Sequence, residues 1–571
     1  MDTPDPTVPE QGEPSGEAMQ PTELLGAHPG ETDAAAPAAA APAAPLPAAP
    51  LPAAAAPAAA APDAAAPDAA APDAAAPDAA APDAAAPDAA APDAAAPDAA
   101  APDAAPSPAR RLRLVIAAAV AFGLLGSGAV WAGAGSGGTA EPVALAAPTA
   151  SATPTPTPTP TAPALRPAPA VATVAGPLRT CSVADLAADS RLGEFQAQVV
   201  NAETGEILFD RGGSTASRAA SVLKVLTSAA ALSVLGPDYR ATTTVVAGSE
   251  PGQVVLVGGG DLTLSSTPTG DESFYDGAAH LDALAEQTRA AMGDTAITSV
   301  VLDSSYFGDP GWEPSWDRKE QTEGYMPLIT ALQVDADRDN PYNSTSARSD
   351  DPVARAGAAF ADELGGDVSV SLGTAPAGAS PLAWVQSQPV STLIQQSLIV
   401  SDNAIAEMLG RLVAVEGGAG NTFGAIQPAV LAGLAEYGID TAGISIADGS
   451  GLSDNNAVSP AYLTKLFQKI NAREGSLGVI FDGLPVAGGG SGSLSYSDRF
   501  SGSNADADGA VFAKTGWIDT GYTLSGIINA VDGSTLTFAV YALGDVGDNA
   551  KQAIDTITTG FFRCGNNLSN N

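Results

Sequence analysis

Histidine is almost missing from this 571-residue chain, which has only His28 and His280. His280 alone lies outside the alanine- and proline-rich N-terminal tract. It falls in the helical stretch Ala278-Ala279-His280-Leu281-Asp282-Ala283-Leu284 and reads as a surface residue, so a Ser-His-Asp relay would rest on that one ring. Cysteine is as scarce, with Cys181 and Cys564 alone, and a zinc site lacks ligands. No glycine-rich loop carries the lysine of a phosphate-binding loop; Gly258-Gly259-Gly260 lacks that context. Positive charge is also short, with 24 Lys and Arg against 64 Asp and Glu, a net charge of −40. From Thr180 onward acids outnumber bases 46 to 19, which argues against nucleic acid as a partner. Proton transfer must then come from lysine, carboxylates, tyrosine or hydroxyls.

The first 109 residues contain 17 acids and no Lys or Arg. Between Asp63 and Asp103 an Asp-Ala-Ala-Ala-Pro unit repeats, with Asp at every fifth position. Proline at that period forbids a continuous helix, and alanine offers no large side chains to form a core. Residues 1–109 are expected to be a disordered, acidic cytoplasmic tail with local polyproline character. Arg110, Arg111 and Arg113 then precede an uncharged apolar run from Leu114 to Ala134. At about 20 residues the run is long enough to span a bilayer as a helix, and arginines on its N-terminal side place the N terminus in the cytoplasm. Residues 110–135 are expected to form one transmembrane signal-anchor helix, with cleavage near Ala132-Gly133-Ala134 as the alternative. The Pro/Thr-rich stretch 136–178 reads as an extended extracytoplasmic linker. The globular part is expected over residues 179–566, with the two cysteines at its margins. In an extracytoplasmic protein an isolated pair is most simply a disulfide, here tying the domain's start to its end; two buried free thiols are the alternative.

Three short motifs carry the chemistry: Ser221-Val222-Leu223-Lys224, Ser401-Asp402-Asn403 and Lys514-Thr515-Gly516. The chain has six lysines, and only Lys224 has a serine three residues before it. Three apart on a helix, Ser221 and Lys224 share a face. The apolar flank down to Leu232 predicts a helix buried on most sides. A lysine desolvated there has a lowered pKa, and its neutral amine can take the serine proton. Ser401-Asp402 reads as a helix start before the periodic run Ala404–Leu412. A second Ser-Asp-Asn, at 453–455, has the composition of a loop. Lys514-Thr515-Gly516 lies in a strand-like segment that a hairpin around Asp519-Thr520-Gly521 joins to Tyr522–Ile528. An edge strand of this kind can pair with an extended peptide while its lysine meets a carboxylate.

The three motifs together resemble the penicillin-recognising serine enzymes. Val257-Gly258-Gly259-Gly260-Asp261-Leu262-Thr263-Leu264, Asp448-Gly449-Ser450-Gly451-Leu452 with Val458-Ser459-Pro460, and Leu484-Pro485-Val486-Ala487-Gly488 look like one branch. That branch is the class C low-molecular-mass penicillin-binding proteins, D-alanyl-D-alanine carboxypeptidases/endopeptidases. The resemblance covers roughly residues 180–565. It implies an α/β (α+β) fold of the β-lactamase/transpeptidase type, with an antiparallel sheet, helices on both faces and an all-helical lobe. The penicillin-binding domain would occupy 179–240 and 341–566, with a small inserted α/β subdomain at 241–340. The resemblance implies Ser221 as nucleophile, Lys224 as its base, Ser401 and Asn403 in proton relay and positioning, and Lys514 at the substrate carboxylate. Thr515, Gly516 and Trp517 would bind substrate, and the backbone N–H groups of Ser221 and Trp517 would form the oxyanion hole. Trp517 departs from the family, which usually has Thr or Ser there, so a hydroxyl that helps hold the carboxylate is lost and Thr515 is left to cover it. The implied partners are peptidoglycan stem peptides and β-lactams, with no metal and no organic cofactor. Two other functions are open: a β-lactamase using Glu436 for deacylation, or a catalytically silent envelope protein that binds peptide.

Overall fold

Two five-stranded sheets organise residues 178–570, which, apart from residue 309, are the residues that the computed structural model describes. The expected tail, membrane anchor and almost all of the linker lie outside the described residues. Among the described residues no helix is long and apolar enough to cross a membrane. The strands are β1 (Glu194–Asn201), β2 (Ile207–Arg211), β3 (Thr242–Ala247), β4 (Gln253–Val257), β5 (Ser299–Asp303), β6 (Ser369–Leu372), β7 (Pro381–Gln386), β8 (Val511–Ile518), β9 (Gly521–Asn529) and β10 (Thr535–Leu543). The main helices are α1 (Leu223–Val234), α2 (Leu281–Met292), α3 (Pro352–Leu364), α4 (Val390–Val400), α5 (Asn403–Glu416), α6 (Ile426–Ala435), α7 (Pro460–Asn471) and α8 (Ala550–Cys564).

The first sheet runs β2-β1-β10-β9-β8 and is antiparallel throughout. Its central strand β10 has no polar face, because both faces are covered. Ala539, Tyr541 and Leu543 turn to the helical core containing α1, α4, α5, α6 and α7. Phe538, Val540 and Ala542 turn to a second core with Ile554, Ile557 and Phe561 of α8. This is the period-two burial of a strand sandwiched between helical layers. Cys181 and Cys564 are joined, with their Cα atoms 5.5 Å apart, across 383 residues of chain. Backbone hydrogen bonds flank the bridge, from Cys181 N to Asn567 O at 3.2 Å and from Ser569 N to Cys181 O at 2.8 Å.

The second sheet, β6-β5-β4-β3-β7, is mixed: β4-β5 and β5-β6 are parallel, and β3 pairs antiparallel with β4 and β7. Its core joins Val245, Val254, Leu256, Val300 and Leu302 to Leu281 and Leu284 of α2 and Phe360 of α3. The inserted α/β unit therefore closes at Gln386, beyond the expected boundary at 340. β6, Ser369-Val370-Ser371-Leu372, alternates polar and apolar residues, yet all four are exposed, so its alternation marks a strand without a buried face to tie it to a core.

Candidate active site

The nucleophile's turn is built where two backbones nearly touch. Ser221 lies in a single 3₁₀ turn, Ala220–Val222, that runs into α1. Ala220 has φ +46°, a left-handed conformation uncommon for a residue with a Cβ. Its carbonyl faces Gly451, where a Cβ would come within 2.0 Å of the oxygen. Gly516 is needed for the same reason on the other side: a Cβ there would lie 2.2 Å from Thr523 Oγ1 and 2.9 Å from Ala219 O. Both glycines let neighbouring segments close on the Ser221 turn.

Lys224 is fully buried, and its Nζ donates to Ser221 Oγ at 2.9 Å, Asn403 Oδ1 at 2.7 Å and the Ser450 carbonyl at 2.8 Å. Burial pulls its pKa down to about 8, against the opposing pull of Asp448, Glu407 and Asp402. Lys514 is buried too and donates to Ser401 Oγ and to the Thr515 carbonyl, both at 2.8 Å. Burial, with the charge of Lys224 behind it, holds Lys514 well below the ordinary lysine value. Ser401 ends α4 with φ +62°, and Asn403 opens α5. Between them, Asp402 turns its carboxylate away from the cleft to cap α5, accepting from Ile405 N at 2.8 Å. The structure thus brings Ser221, Lys224, Ser401, Asn403 and Lys514 together as the motifs imply, and all but the two buried lysines line one cavity of about 600 Å³.

The cleft wall is the free half of β8. Toward its start, the Val511 carbonyl and the Ala513 N–H bond to Ala487 N and Pro485 O, both at 3.0 Å, so the Leu484–Ala487 segment covers that edge. Continuing the two-residue period, Thr515 and Trp517 turn their backbone groups to the open edge. Thr515 Oγ1 is 2.7 Å from Ser493 Oγ. The Trp517 indole is 54% exposed and stacks against Tyr522, 6.4 Å between ring centroids.

Sequence reasoning missed the supports beneath Lys224. Glu407, fully buried on α5, accepts from Gly449 N at 3.0 Å and Ser450 N at 2.7 Å, fixing the turn whose Ser450 carbonyl meets Lys224. Burial, with the charge of Asp448 added, raises the Glu407 carboxyl to about 8. Asp448 accepts four hydrogen bonds, from Gly451 N, Ser453 N, Asn456 Nδ2 and Trp316 Nε1. A glutamate inside the apolar run Ala404–Leu412 was the available signal, since such a residue is buried only with partners. Ser453, of the second Ser-Asp-Asn, lies in this loop. His280 precedes α2 and bonds through Nδ1 to the Thr267 carbonyl at 2.9 Å. Glu436 follows α6 on the surface and is not among the cavity's lining residues.

The profile of the D-Ala-D-Ala carboxypeptidase 3 (S13) family matches residues 180–345 and 338–561. A carboxypeptidase of Mycobacterium tuberculosis is 37% identical over 404 residues, 70% of this chain and 86% of that protein. Carboxypeptidase DacB of Mycolicibacterium smegmatis is 37% identical over 385 residues, 66% of this chain and 82% of its own length. Among solved structures, penicillin binding protein 4 (dacB) of Haemophilus influenzae superposes with a TM-score of 0.57 at 21% identity, covering 67% of this chain and 99% of that one. The chain belongs to the D-Ala-D-Ala carboxypeptidase 3 (S13) family.

Proposed function

We propose that this enzyme, a serine D-Ala-D-Ala carboxypeptidase, cleaves peptidoglycan stem peptides through an acyl-enzyme on Ser221 and is blocked by β-lactams that acylate the same oxygen. The observation that carries this reading is the buried Lys224 amine, 2.9 Å from Ser221 Oγ and 2.7 Å from Asn403 Oδ1. Neutral Lys224 takes the Ser221 proton as Oγ bonds to the carbonyl carbon of the penultimate D-Ala. The N–H groups of Ser221 and Trp517 receive the oxyanion. Ser401, 2.8 Å from Lys514 Nζ, relays the proton taken by Lys224 to the departing D-Ala nitrogen: its hydroxyl gives up one proton and receives the other as the C–N bond breaks, so Lys224 is neutral again. Water then attacks the Ser221 ester and releases the shortened peptide. An entering carboxylate favours the ammonium form of Lys514, which then pairs with it.

A cross-linked peptide suits the cleft as a second substrate. At Trp517 an exposed indole replaces a hydroxyl that would grip a free terminal carboxylate, and the cavity stays open beside it. A leaving group that is itself part of a second stem can then be accommodated. The exposed position of Glu436 disfavours a β-lactamase, and the intact hydrogen bonds of both lysines disfavour a silent binding protein. The chain is further proposed to be anchored by residues 110–135, with residues 179–566 outside the cytoplasm, where the Cys181–Cys564 bridge would persist.

The test is labelling of the full-length chain with fluorescent penicillin, together with release of D-Ala from a defined pentapeptide and cleavage of a cross-linked dimer. Long-lived labelling that Ser221→Ala abolishes is expected. Equal labelling of both proteins would refute the nucleophile, and fast label turnover would mean a β-lactamase. Trp517→Thr is expected to raise D-Ala release relative to dimer cleavage.

A further inference from the structure

The inserted α/β region meets the cleft through a buried ion pair. Arg338 Nη2 lies 3.0 Å from Asp402 Oδ2, and both side chains are almost wholly buried. The guanidinium sits 4.4 Å from the ring centroid of Phe274 and 4.6 Å from that of Tyr275. The Tyr275 hydroxyl donates to the same carboxylate oxygen at 3.3 Å. Nη1 donates to the Asp335 carbonyl at 3.1 Å and Nη2 also reaches the Ser344 carbonyl at 3.4 Å, while the buried Nε–H has no hydrogen-bond partner among the described residues. Asp402 stands between two residues that face the other way: Ser401 meets Lys514, and Asn403 meets Lys224. Ser401 is held in a left-handed conformation, φ +62°, which persists in a serine only when its surroundings impose it.

Arg338 is itself held from several sides. The three residues before it, Asp335, Ala336 and Asp337, all have positive φ, at 50, 47 and 59°. The Asp335 carboxylate accepts from Ser265 Oγ and Ser266 N, each at 2.9 Å. The Ala336 carbonyl accepts from Arg348 Nη1 at 2.7 Å, and Arg348 Nη2 reaches the Gly324 carbonyl at 3.0 Å. One residue on, the Tyr325 carbonyl accepts from Asn403 Nδ2 at 3.3 Å. The same segment thus touches Asp402 directly and reaches Asn403 through Arg348 and Tyr325.

We propose that Arg338 is a positioning residue for acyl transfer, clamping Asp402 so that Ser401 and Asn403 present their side chains to the two cleft lysines. The inference rests on the roles given above to Ser401 and Asn403. Arg338 is absent from the cavity lining, so its effect passes through the Asp402 backbone.

Three variants of the full-length chain test the clamp by their acylation rate at saturating fluorescent penicillin, the penicillin concentration giving half that rate, and the melting temperature. Asp402→Asn keeps an oxygen for the α5 cap and removes the charge that Arg338 grips. Arg338→Lys keeps the charge and loses the planar fork that stacks on the two rings. The double variant Arg338→Met with Asp402→Asn leaves no unpaired buried charge, which guards against a single variant that fails to fold. The expected result is a saturating rate lowered about tenfold or more, with the half-saturating concentration changed by less than about threefold. The double variant stays slow even where its melting temperature recovers. Any folded variant acylating at about the wild-type rate overturns the clamp and leaves Arg338 as a brace of the fold. Ser401→Ala separates the two layers: if it acylates normally, the underlying roles fail, whereas a slow Ser401→Ala beside fast clamp variants removes the clamp alone.

Discussion

Lys514 shares its cleft with a second buried lysine, Lys224, whose charge adds to burial in pulling the Lys514 ammonium well below its ordinary pKa. Two cations in a water-poor site disfavour each other, and burial already disfavours each alone. Lys224, with the acidic side chains of Asp448, Glu407 and Asp402 opposing the effect of burial, still falls to about 8. The free enzyme thereby holds a neutral-amine fraction of Lys224, growing as pH rises through about 8, within hydrogen-bond reach of Ser221.

The pH dependence of acylation follows from that value. A base works in its neutral form, and for Lys224 that form grows as pH rises through about 8. The acylation rate is expected to climb about tenfold per pH unit on the acid side and to level off above about 8. Stopped-flow acylation by a penicillin between about pH 6 and pH 9 checks this, and a flat profile would contradict it.

Replacing Asp448 by Asn is expected to destabilise the protein out of proportion to the change in size. All four of its hydrogen-bond partners are donors, at 2.7–2.8 Å, and an amide NH₂ turned toward them cannot accept. Leaving buried donors unpaired costs roughly 1–3 kcal/mol each. Thermal denaturation should show a clear fall in melting temperature. The acylation rate should fall as well, because the Ser450 carbonyl that receives Lys224 belongs to this turn.

Gly516→Ala probes the contact between β8 and the nucleophile's turn. Its Cβ would meet Thr523 Oγ1 at 2.2 Å, the oxygen that donates to Ala219 O at 2.7 Å. Relief requires β8 to move away from Ala219 and Ala220. The expected cost is about 1–3 kcal/mol of stability, with acylation reduced by more than about tenfold. Unchanged acylation by Gly516→Ala would show that the strand tolerates the shift.

Removal of the bridge as Cys181→Ser with Cys564→Ser should lower stability and leave the folded enzyme's acylation rate alone. A closed loop of this length corresponds to about 6 kcal/mol on the chain-entropy model. The measured loss should be smaller, since backbone bonds between residues 181 and 567–569 already hold the two ends together. Denaturant unfolding of the wild type with and without reductant gives the comparison. Coincident curves would rule out a stabilising role.

Local pattern alone carried several elements. A hydroxyl and an amine three residues apart on a helix share a face by helical geometry, which alone places Ser221 beside Lys224. The buried helix that carries Lys224 and the two strands joined by a hairpin around Asp519-Thr520-Gly521 were legible as well. The three motifs also named the polar groups of the cleft, because such side chains have few other reasons to recur in that order.

What the chain's order could not convey was mostly supplied by segments distant in sequence. β6 alternates polar and apolar residues but buries neither face, so its place in the inserted sheet emerged only from pairing with β5. Glu407 looked like one more helical residue until Gly449 and Ser450, some forty positions later, arrived to be bonded by it. Asp402 sits inside a motif and yet faces away from the cleft, toward an arginine from the inserted region. A periodic stripe reports which face of an element is buried. Which partner meets a buried charge depends on how the elements pack in three dimensions, and no spacing along one strand or helix encodes that.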